Sequence, residues 1–221
     1  MKLLISALTK MVIGFLLVAV LLFLPAGTLN FGGGWLFMGL LFVPVIILGM
    51  VLFIKAPSLL EKRLKTKETE KTQKGVVALS ALVFLLGFVL SGLDFRFSWT
   101  CVPVAVKAVA CLTFIISYGL YAEVMRENAY LSRTVEVSGD QKVIDTGLYG
   151  VVRHPMYAAT VLMFLSIPLI LGSFVALSAF LLYPVLIAVR IVNEEKVLTT
   201  GLAGYSEYKK KVKYRLIPFI W

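Results

Sequence analysis

The chain has 221 residues, of which 60% are hydrophobic and 15% are charged, and its mean hydropathy is +0.94. Soluble domains are roughly 45–50% apolar and about 25% charged, so this composition excludes an ordinary water-soluble globule. The formal charge of +10 does not indicate nucleic-acid binding, because no aromatic and basic groove signature accompanies it. The basic residues lie between and after apolar runs, as the positive-inside rule and contact with anionic lipid head groups would place them.

Four apolar runs in the first 124 residues are long enough to cross a membrane, since a spanning helix needs about 20 apolar residues. They cover residues 3–24, 35–54, 75–93 and 99–124. The first run is expected to be a retained helix rather than a signal peptide, because no small-residue cleavage pattern follows it. Residues 55–74 hold seven lysines and arginines against three glutamates, which predicts a cytoplasmic loop.

The second half of the chain predicts a helical hairpin between two cytoplasmic segments. Residues 125–154 are too polar to span, whereas residues 155–192 are apolar and are interrupted only at Leu171-Gly172-Ser173. Six lysines and arginines follow in the tail from Asn193, so both termini are expected in the cytoplasm. The predicted fold is all-α: a polytopic integral membrane protein with about four N-terminal spans, a C-terminal helical hairpin and a cytoplasmic tail.

Two further patterns concern metals and the tail. Cys101 and Cys111 lie in one apolar run without a CxxC or Cys/His spacing, and His154 is the only histidine, so neither a metal site nor a structural disulfide is expected. Aromatic residues alternate with lysines in the tail and predict an interfacial belt on a surface amphipathic helix. They are Tyr205, Tyr208, Tyr214, Phe219 and Trp221.

Charged residues that border the spans are the first candidates for a functional site, because ionisable groups are costly in lipid. One cluster contains Arg153, His154 and Tyr157 around Pro155, which favours the start of a helix with free N–H groups at the membrane surface. The plainer interpretations are a positive-inside anchor for the arginine and an interfacial hydrogen bond for the histidine.

The second cluster lies at the exit of the predicted hairpin. Arg190 and Glu194 are four residues apart and share a face on a continuous helix. They are either a helix-end ion pair or two charged groups that face a polar pocket. Because the two arms of the hairpin are antiparallel, Tyr157 and Arg190 are expected near the same membrane surface.

At these residues the chain closely resembles the isoprenylcysteine carboxyl methyltransferase family of membrane enzymes, which also includes related phospholipid methyltransferases. The resemblance covers roughly residues 128–221, and its points occur in the family's order and spacing. They are Gln141-Lys142-Val143-Ile144, Gly147, Tyr149, Arg153-His154-Pro155-Met156-Tyr157, Glu194-Glu195, Leu198, Gly204-Tyr205, Tyr208 and Ile217-Pro218. Gln141 departs from the histidine that many members have there, but its amide can still hydrogen-bond.

The resemblance implies S-adenosylmethionine as methyl donor, held without a Rossmann domain, and the carboxylate of an isoprenylcysteine-like lipophilic acceptor at the membrane–cytosol interface. It implies catalytic roles for Arg153, Arg190 and Glu195, with Arg190 also binding the substrate. The implied cofactor contacts are Gln141, Lys142, Val143, Ile144, Tyr149, His154, Pro155, Met156, Tyr157 and Glu194. The expected partners are membrane lipids and a lipophilic small-molecule or prenylated substrate.

We therefore interpret residues 1–124 as N-terminal transmembrane helices with a cytoplasmic loop at 55–74. Residues 125–221 are interpreted as the cofactor-binding catalytic region, with the hairpin and the cytoplasmic tail, and the two parts as one integrated domain. The active site is expected on the cytoplasmic side.

Three alternatives stay open from the sequence. In the first alternative, the acceptor is a phospholipid amine or another small isoprenoid. In the second, the protein is a membrane reductase of the sterol-reductase type, with Arg126, Arg133 and Lys142 available for the 2′-phosphate of NADPH. The third is a transporter, channel or scaffold, which is disfavoured because the mid-span positions are apolar and the charges gather at one surface.

Overall fold

A computed structural model of the protein describes residues 2–64, 71–132 and 141–221; Arg133 lies outside these residues. The described residues form nine α-helices and one short 3₁₀ turn, Gly147–Gly150, with no strand among them. This confirms the all-α prediction. The helices are α1 Lys2–Ala26, α2 Gly32–Lys55, α3 Pro57–Leu64, α4 Lys71–Phe97, α5 Val104–Glu127, α6 Pro155–Leu171, α7 Phe174–Phe180, α8 Leu182–Gly201 and α9 Tyr205–Lys211.

Five helical stretches in the described part of the chain are long and apolar enough to cross a membrane. They are Leu3–Ala26, Gly32–Lys55, Thr72–Phe97, Val104–Glu127 and Phe174–Gly201, the last of which joins α7 and α8. Helix α6 has 17 residues and rises about 25 Å, slightly less than the roughly 30 Å hydrocarbon core of a bilayer. The four predicted N-terminal spans and the hairpin are all present, so the prediction of a polytopic membrane protein is confirmed.

The turn of the hairpin lies where the sequence predicted it. Gly172 ends α6 in the left-handed conformation, with φ of 88°, which glycine adopts without steric cost. The Ser173 hydroxyl then accepts a hydrogen bond from the Ala176 N–H at 2.9 Å and caps α7. The second arm is interrupted at Leu181, because Pro184 has no N–H to donate to the carbonyl of Phe180.

The helices pack most extensively in two pairs, α5 against α6 and α1 against α4. A Cβ atom at Gly92 would lie 2.6 Å from the Leu22 carbonyl oxygen, so a glycine is required where α1 and α4 approach. The buried core between the helices is largely aromatic and includes Phe37, Phe88 and Phe180. Large apolar side chains on the outer helix faces are exposed, as expected for surfaces that contact lipid.

The two ends of the bundle differ in their polar contacts. At one end, the buried Asp94 accepts hydrogen bonds from Thr100 and Ser173 and ties the end of α4 to the start of α7. At the other end, the buried Gln73 at the start of α4 donates to the Arg190 carbonyl of α8 at 3.2 Å. The second end carries the cytoplasmic segments of the predicted topology and the cavity described next.

Candidate active site

A cavity of about 840 Å³, including its open mouth, lies at the Gln73 end of the bundle. Its walls come from residues 128–132, residues 141–144, the 3₁₀ turn, the start of α6, the end of α8 and α9. Twelve of the predicted site residues line it: Gln141, Lys142, Val143, Ile144, Tyr149, Arg153, His154, Pro155, Met156, Tyr157, Arg190 and Glu194.

A chain of three side chains joins the two sequence clusters across this cavity. Arg190 Nε donates to the Tyr157 hydroxyl at 2.7 Å, and that hydroxyl donates to Glu194 Oε2 at 2.5 Å. Arg190 and Glu194 lie one turn apart on α8, and Tyr157 reaches them from the first turn of α6. The hydrogen bonds fix a cation, a hydroxyl and a carboxylate in one wall of the cavity, at the same end of the bundle.

Glu195 is the predicted site residue that does not line the cavity. It is 5% exposed and accepts hydrogen bonds from Arg153 Nε at 2.6 Å and Arg215 Nε at 2.9 Å. The ring nitrogen Nε2 of His154 lies 3.4 Å from the same carboxylate. Glu195 therefore holds the Arg153-His154 pair against the C-terminal tail, behind the cavity wall.

The backbone and the side chain of Arg153 add further links to the tail. The N–H groups of Arg153 and His154 donate to the carbonyls of Tyr214 and Arg215, each at 2.9 Å. Arg153 also donates through Nη1 to the carbonyls of Val212 at 2.7 Å and Lys213 at 2.8 Å. Because its guanidinium has three hydrogen-bond partners, Arg153 fixes the position of the chain just before α6.

The 3₁₀ turn positions Tyr149 and is itself held by the end of α5. Gly147 has φ of 55°, and a Cβ atom there would lie 1.8 Å from Glu127 Oε1. The Glu127 carboxylate instead accepts from the Leu148 N–H at 3.0 Å, while Asn128 Nδ2 donates to the Tyr149 hydroxyl at 2.9 Å. Burial raises the pKa of Tyr149 to about 12, although the hydrogen bond from Asn128 acts to lower it. The phenol is therefore neutral and remains a hydrogen-bonding group.

Helix α9 closes another side of the cavity with two tyrosines, contrary to the expected interfacial belt. Tyr205 and Tyr208 are buried and pack with Val143, Leu198 and Leu202. The Tyr208 hydroxyl donates to the Tyr149 carbonyl at 2.7 Å. The Tyr205 hydroxyl is buried and has no hydrogen-bond partner among the described residues. The prediction was wrong for these two residues because their rings fill the space beside the 3₁₀ turn.

The sequence also missed a contribution from the N-terminal half of the chain. Arg63 on α3 donates through Nη1 to the Ser132 carbonyl at 3.2 Å and lies 3.7 Å from the Met156 sulfur. Ser132 and Met156 both line the cavity. The seven basic residues of positions 55–74 indicated topology alone, and nothing in their spacing singled out Arg63.

The described residues contain no group of three or more histidine, cysteine, aspartate or glutamate side chains that could hold a metal ion. The cavity instead offers carboxylate, guanidinium, phenol and amide groups beside apolar Val143, Ile144 and Met156. Such a lining suits an organic ligand with both polar and apolar parts.

A comparison with protein families gives a match that covers most of the helices that build the cavity. No curated protein matches the chain. Residues 105–203 match the family model described as phospholipid methyltransferase. That range includes the segment after α5, the 3₁₀ turn and α6 to α8, and therefore both clusters that meet in the cavity. The match supports a membrane methyltransferase: the region that forms most of the site is similar to phospholipid methyltransferases, a family related to the isoprenylcysteine enzymes.

Proposed function

We propose that the protein is an S-adenosylmethionine-dependent methyltransferase that methylates a lipophilic acceptor at the cytoplasmic surface of a membrane. The observation that carries this proposal is the Arg190–Tyr157–Glu194 chain in the wall of a cavity at the end of apolar helices. A polar donor can enter such a cavity from the cytosol, and an apolar acceptor can enter it from the bilayer.

The lining residues fit the methyl donor. Glu194 supplies a carboxylate that can bind ribose hydroxyls or an ammonium group through charge-assisted hydrogen bonds. The buried Tyr205 hydroxyl, which has no partner among the described residues, has open hydrogen-bonding capacity beside the cavity. Gln141 adds an amide, and Val143 and Ile144 add apolar surface. When bound, S-adenosylmethionine supplies a methyl group activated by its positively charged sulfur.

For the acceptor, the geometry favours a carboxylate. An ionised carboxylate is already nucleophilic, and the product is a methyl ester, so no proton has to be removed. Arg190 supplies a guanidinium that can orient a carboxylate, and Tyr157 and Glu194 fix its position. Positioning alone can contribute roughly 7–11 kcal/mol to lowering a barrier in well-oriented systems. We therefore propose an O-methyltransferase of the isoprenylcysteine type.

A phospholipid amine is the second candidate acceptor, and the family match favours it. An amine must lose a proton to reach its neutral product, so this reaction needs a base. Nε2 of His154 is buried and lies 3.4 Å from Glu195 Oε1, so this nitrogen does not face the cavity. Among the carboxylates, Glu194 lines the cavity and could serve as the base for an amine acceptor.

In this proposal Glu195 and Arg153 are positioning residues. The resemblance implied catalytic roles for both, but the Glu195 carboxylate bonds Arg153 and Arg215 behind the wall. These bonds support the start of α6, which carries Met156 and Tyr157 into the cavity.

Calorimetric titration of the purified protein with S-adenosylhomocysteine, and separately with NADPH, tests the proposal. We expect micromolar binding of S-adenosylhomocysteine and none of NADPH. Hydrogen bonds to charged groups contribute about 1.5–3 kcal/mol, so Glu194→Ala should weaken the binding roughly 10–150-fold. Glu207→Ala removes an exposed carboxylate of α9 and should leave the binding unchanged. Binding of NADPH instead would assign the protein to the membrane reductases and refute the proposal.

A further inference from the structure

Helix α3 places two cations at the rim of the cavity. Arg63 contacts the Ser132 carbonyl and the Met156 sulfur, and Lys62 Nζ lies 5.5 Å from the ring centroid of Tyr130. Ser132, Met156 and Tyr130 all line the cavity. A third partner of Arg63 is the hydroxyl of Tyr121, which lies on α5 nearly two turns into the apolar bundle from Asn128. Arg63 therefore stands on the side of the cavity that faces the membrane helices.

The position of Arg63 is firmly set by its own helix. Leu59 and Leu60 are buried, with 3% and 7% exposure, so α3 is anchored through its apolar face. Lys10 of α1 hydrogen-bonds the Leu64 carbonyl at the end of α3. Because the helix is held through its apolar face and at its C-terminal end, the guanidinium is presented to the rim in a fixed place.

Arg63 differs from Arg153, Arg215 and Arg126 in what balances its charge. Arg153 and Arg215 share the Glu195 carboxylate, and Arg126 pairs with Glu123. Within the described residues, by contrast, no carboxylate lies within ion-pair distance of Arg63, whose partners are a carbonyl, a hydroxyl and a thioether. The positive charge of Arg63 acts on the cavity-lining Tyr149: it lowers the pKa of that phenol, although burial raises the pKa by more.

A half-buried guanidinium whose partners in the described part of the chain are all neutral is a strong site for an oxyanion. Guanidinium groups bind phosphate and carboxylate with two parallel hydrogen bonds and are weakly hydrated, so they lose little on leaving water. We propose that Arg63 forms a subsite for an oxyanion in the head group of the acceptor, and thus that the acceptor is an anionic amphiphile. This inference rests on the proposed function and adds to its site a residue from the N-terminal half of the chain, outside the matched residues 105–203.

Two kinds of acceptor could supply the oxyanion, and they differ in what happens to its charge on methylation. The phosphate of a phospholipid would stay bound to Arg63 while another group of the lipid reacts. The carboxylate of a prenylated cysteine would be bound by Arg63 together with Arg190 and would lose its charge on becoming an ester, so the neutral product would bind more weakly than the substrate. In both cases the apolar tail extends toward the bundle, on the side where Tyr121 holds Arg63.

The test compares ligands that share a tail and differ in charge. The first pair is N-acetyl-S-farnesylcysteine and its neutral carboxamide; the second is a short-chain phosphatidic acid and the matching diacylglycerol. Binding to the protein saturated with S-adenosylhomocysteine is measured for the wild type, Arg63→Gln and Arg126→Gln. Arg126 is the matched control, because it is exposed and already paired with Glu123.

We expect the wild type to prefer the anionic member of at least one pair by about tenfold or more, in line with charged hydrogen bonds. Arg63→Gln should lower that preference severalfold without changing the affinity for the neutral member, while Arg126→Gln should retain it in full. The pair in which the preference falls identifies the source of the oxyanion. Arg63→Lys should restore part of the preference, because it keeps the charge and loses the planar pair of donors.

A purely structural role of Arg63 has a different signature. Tyr121→Phe removes the tie to α5 and keeps the cation, so it should preserve the preference for the anionic ligand. Equal weakening of both members of each pair by Arg63→Gln would overturn the subsite, as would an unchanged preference. If the wild type did not bind S-adenosylhomocysteine, both the proposed function and the subsite would be refuted. If it bound S-adenosylhomocysteine but did not prefer the anionic ligands, only the subsite would be refuted.

Discussion

Replacing Glu195 with alanine is expected to destabilise the protein strongly although it removes no group from the cavity. The carboxylate is 5% exposed and is shared by Arg153 at 2.6 Å and Arg215 at 2.9 Å. The side chain of Arg153 is only 6% exposed, whereas that of Arg215 is 33% exposed. The variant would therefore leave one arginine buried without a compensating charge, while the other can turn toward water.

The magnitude follows from the buried partner alone. Removing one member of a buried ion pair costs about 3–5 kcal/mol, because the remaining charge stays desolvated. For a chain of this size, each kcal/mol lowers the melting temperature by roughly 2–4 °C, so the expected decrease is about 6–20 °C. Arg153 keeps its hydrogen bonds to the Val212 and Lys213 carbonyls, which places the expected loss nearer the lower end.

Thermal unfolding in detergent measures the loss, and titration with S-adenosylhomocysteine well below the melting temperature measures what remains of the site. Glu194→Gln is the paired variant, since an amide oxygen can still accept the hydrogen bond of Tyr157. It should melt close to the wild type and bind the cofactor product weakly. If Glu195→Ala instead melted like the wild type but lost turnover, the carboxylate would act in the reaction, and its assignment as a positioning residue would be refuted.

Three further substitutions test the walls of the cavity. Gly147→Ala should abolish detectable cofactor binding, because φ of 55° costs about 1–2 kcal/mol for alanine and the added Cβ displaces Glu127; titration with S-adenosylhomocysteine checks this. Tyr157→Phe removes a hydroxyl that is hydrogen-bonded to two charged groups, so kcat/KM should fall roughly 10–150-fold. Steady-state kinetics on the folded variant measure this decrease. Tyr208→Phe leaves the Tyr149 carbonyl unpaired and should cost about 1–3 kcal/mol in thermal stability; an unchanged melting temperature would contradict the role of α9 as a wall.

The helical architecture was predictable because lipid imposes a simple rule on the sequence. A spanning helix must be apolar over about 20 residues, so the runs in the first 124 residues could be identified from composition alone. The break between α7 and α8 at Leu181 and the docking of α3 against the bundle were not predicted. Both depend on local backbone chemistry and on packing partners distant in the chain, which hydropathy does not encode.

The site was predictable to the extent that the hairpin determines it. Two clusters at the two ends of an antiparallel hairpin must meet, and Tyr157 and Arg190 do so at 2.7 Å. Arg63 and Glu127 could not be inferred in the same way, since each contacts a part of the cavity wall that is distant in the chain. The positions of the tail tyrosines could not be predicted for the same reason. Tyrosines beside lysines occur both in interfacial belts and in buried walls, and here the space beside the 3₁₀ turn decides that they are buried.

Glu194 and Glu195 show why residue type and spacing do not assign roles within a site. Neighbouring residues on a helix point about 100° apart, since there are 3.6 residues per turn. Here the angle turns Glu194 toward Tyr157 in the cavity and Glu195 toward Arg153 and Arg215 behind it. The same acidic pair can therefore supply one group that contacts a ligand and one that holds the wall in place, and only the partners of each carboxylate tell them apart.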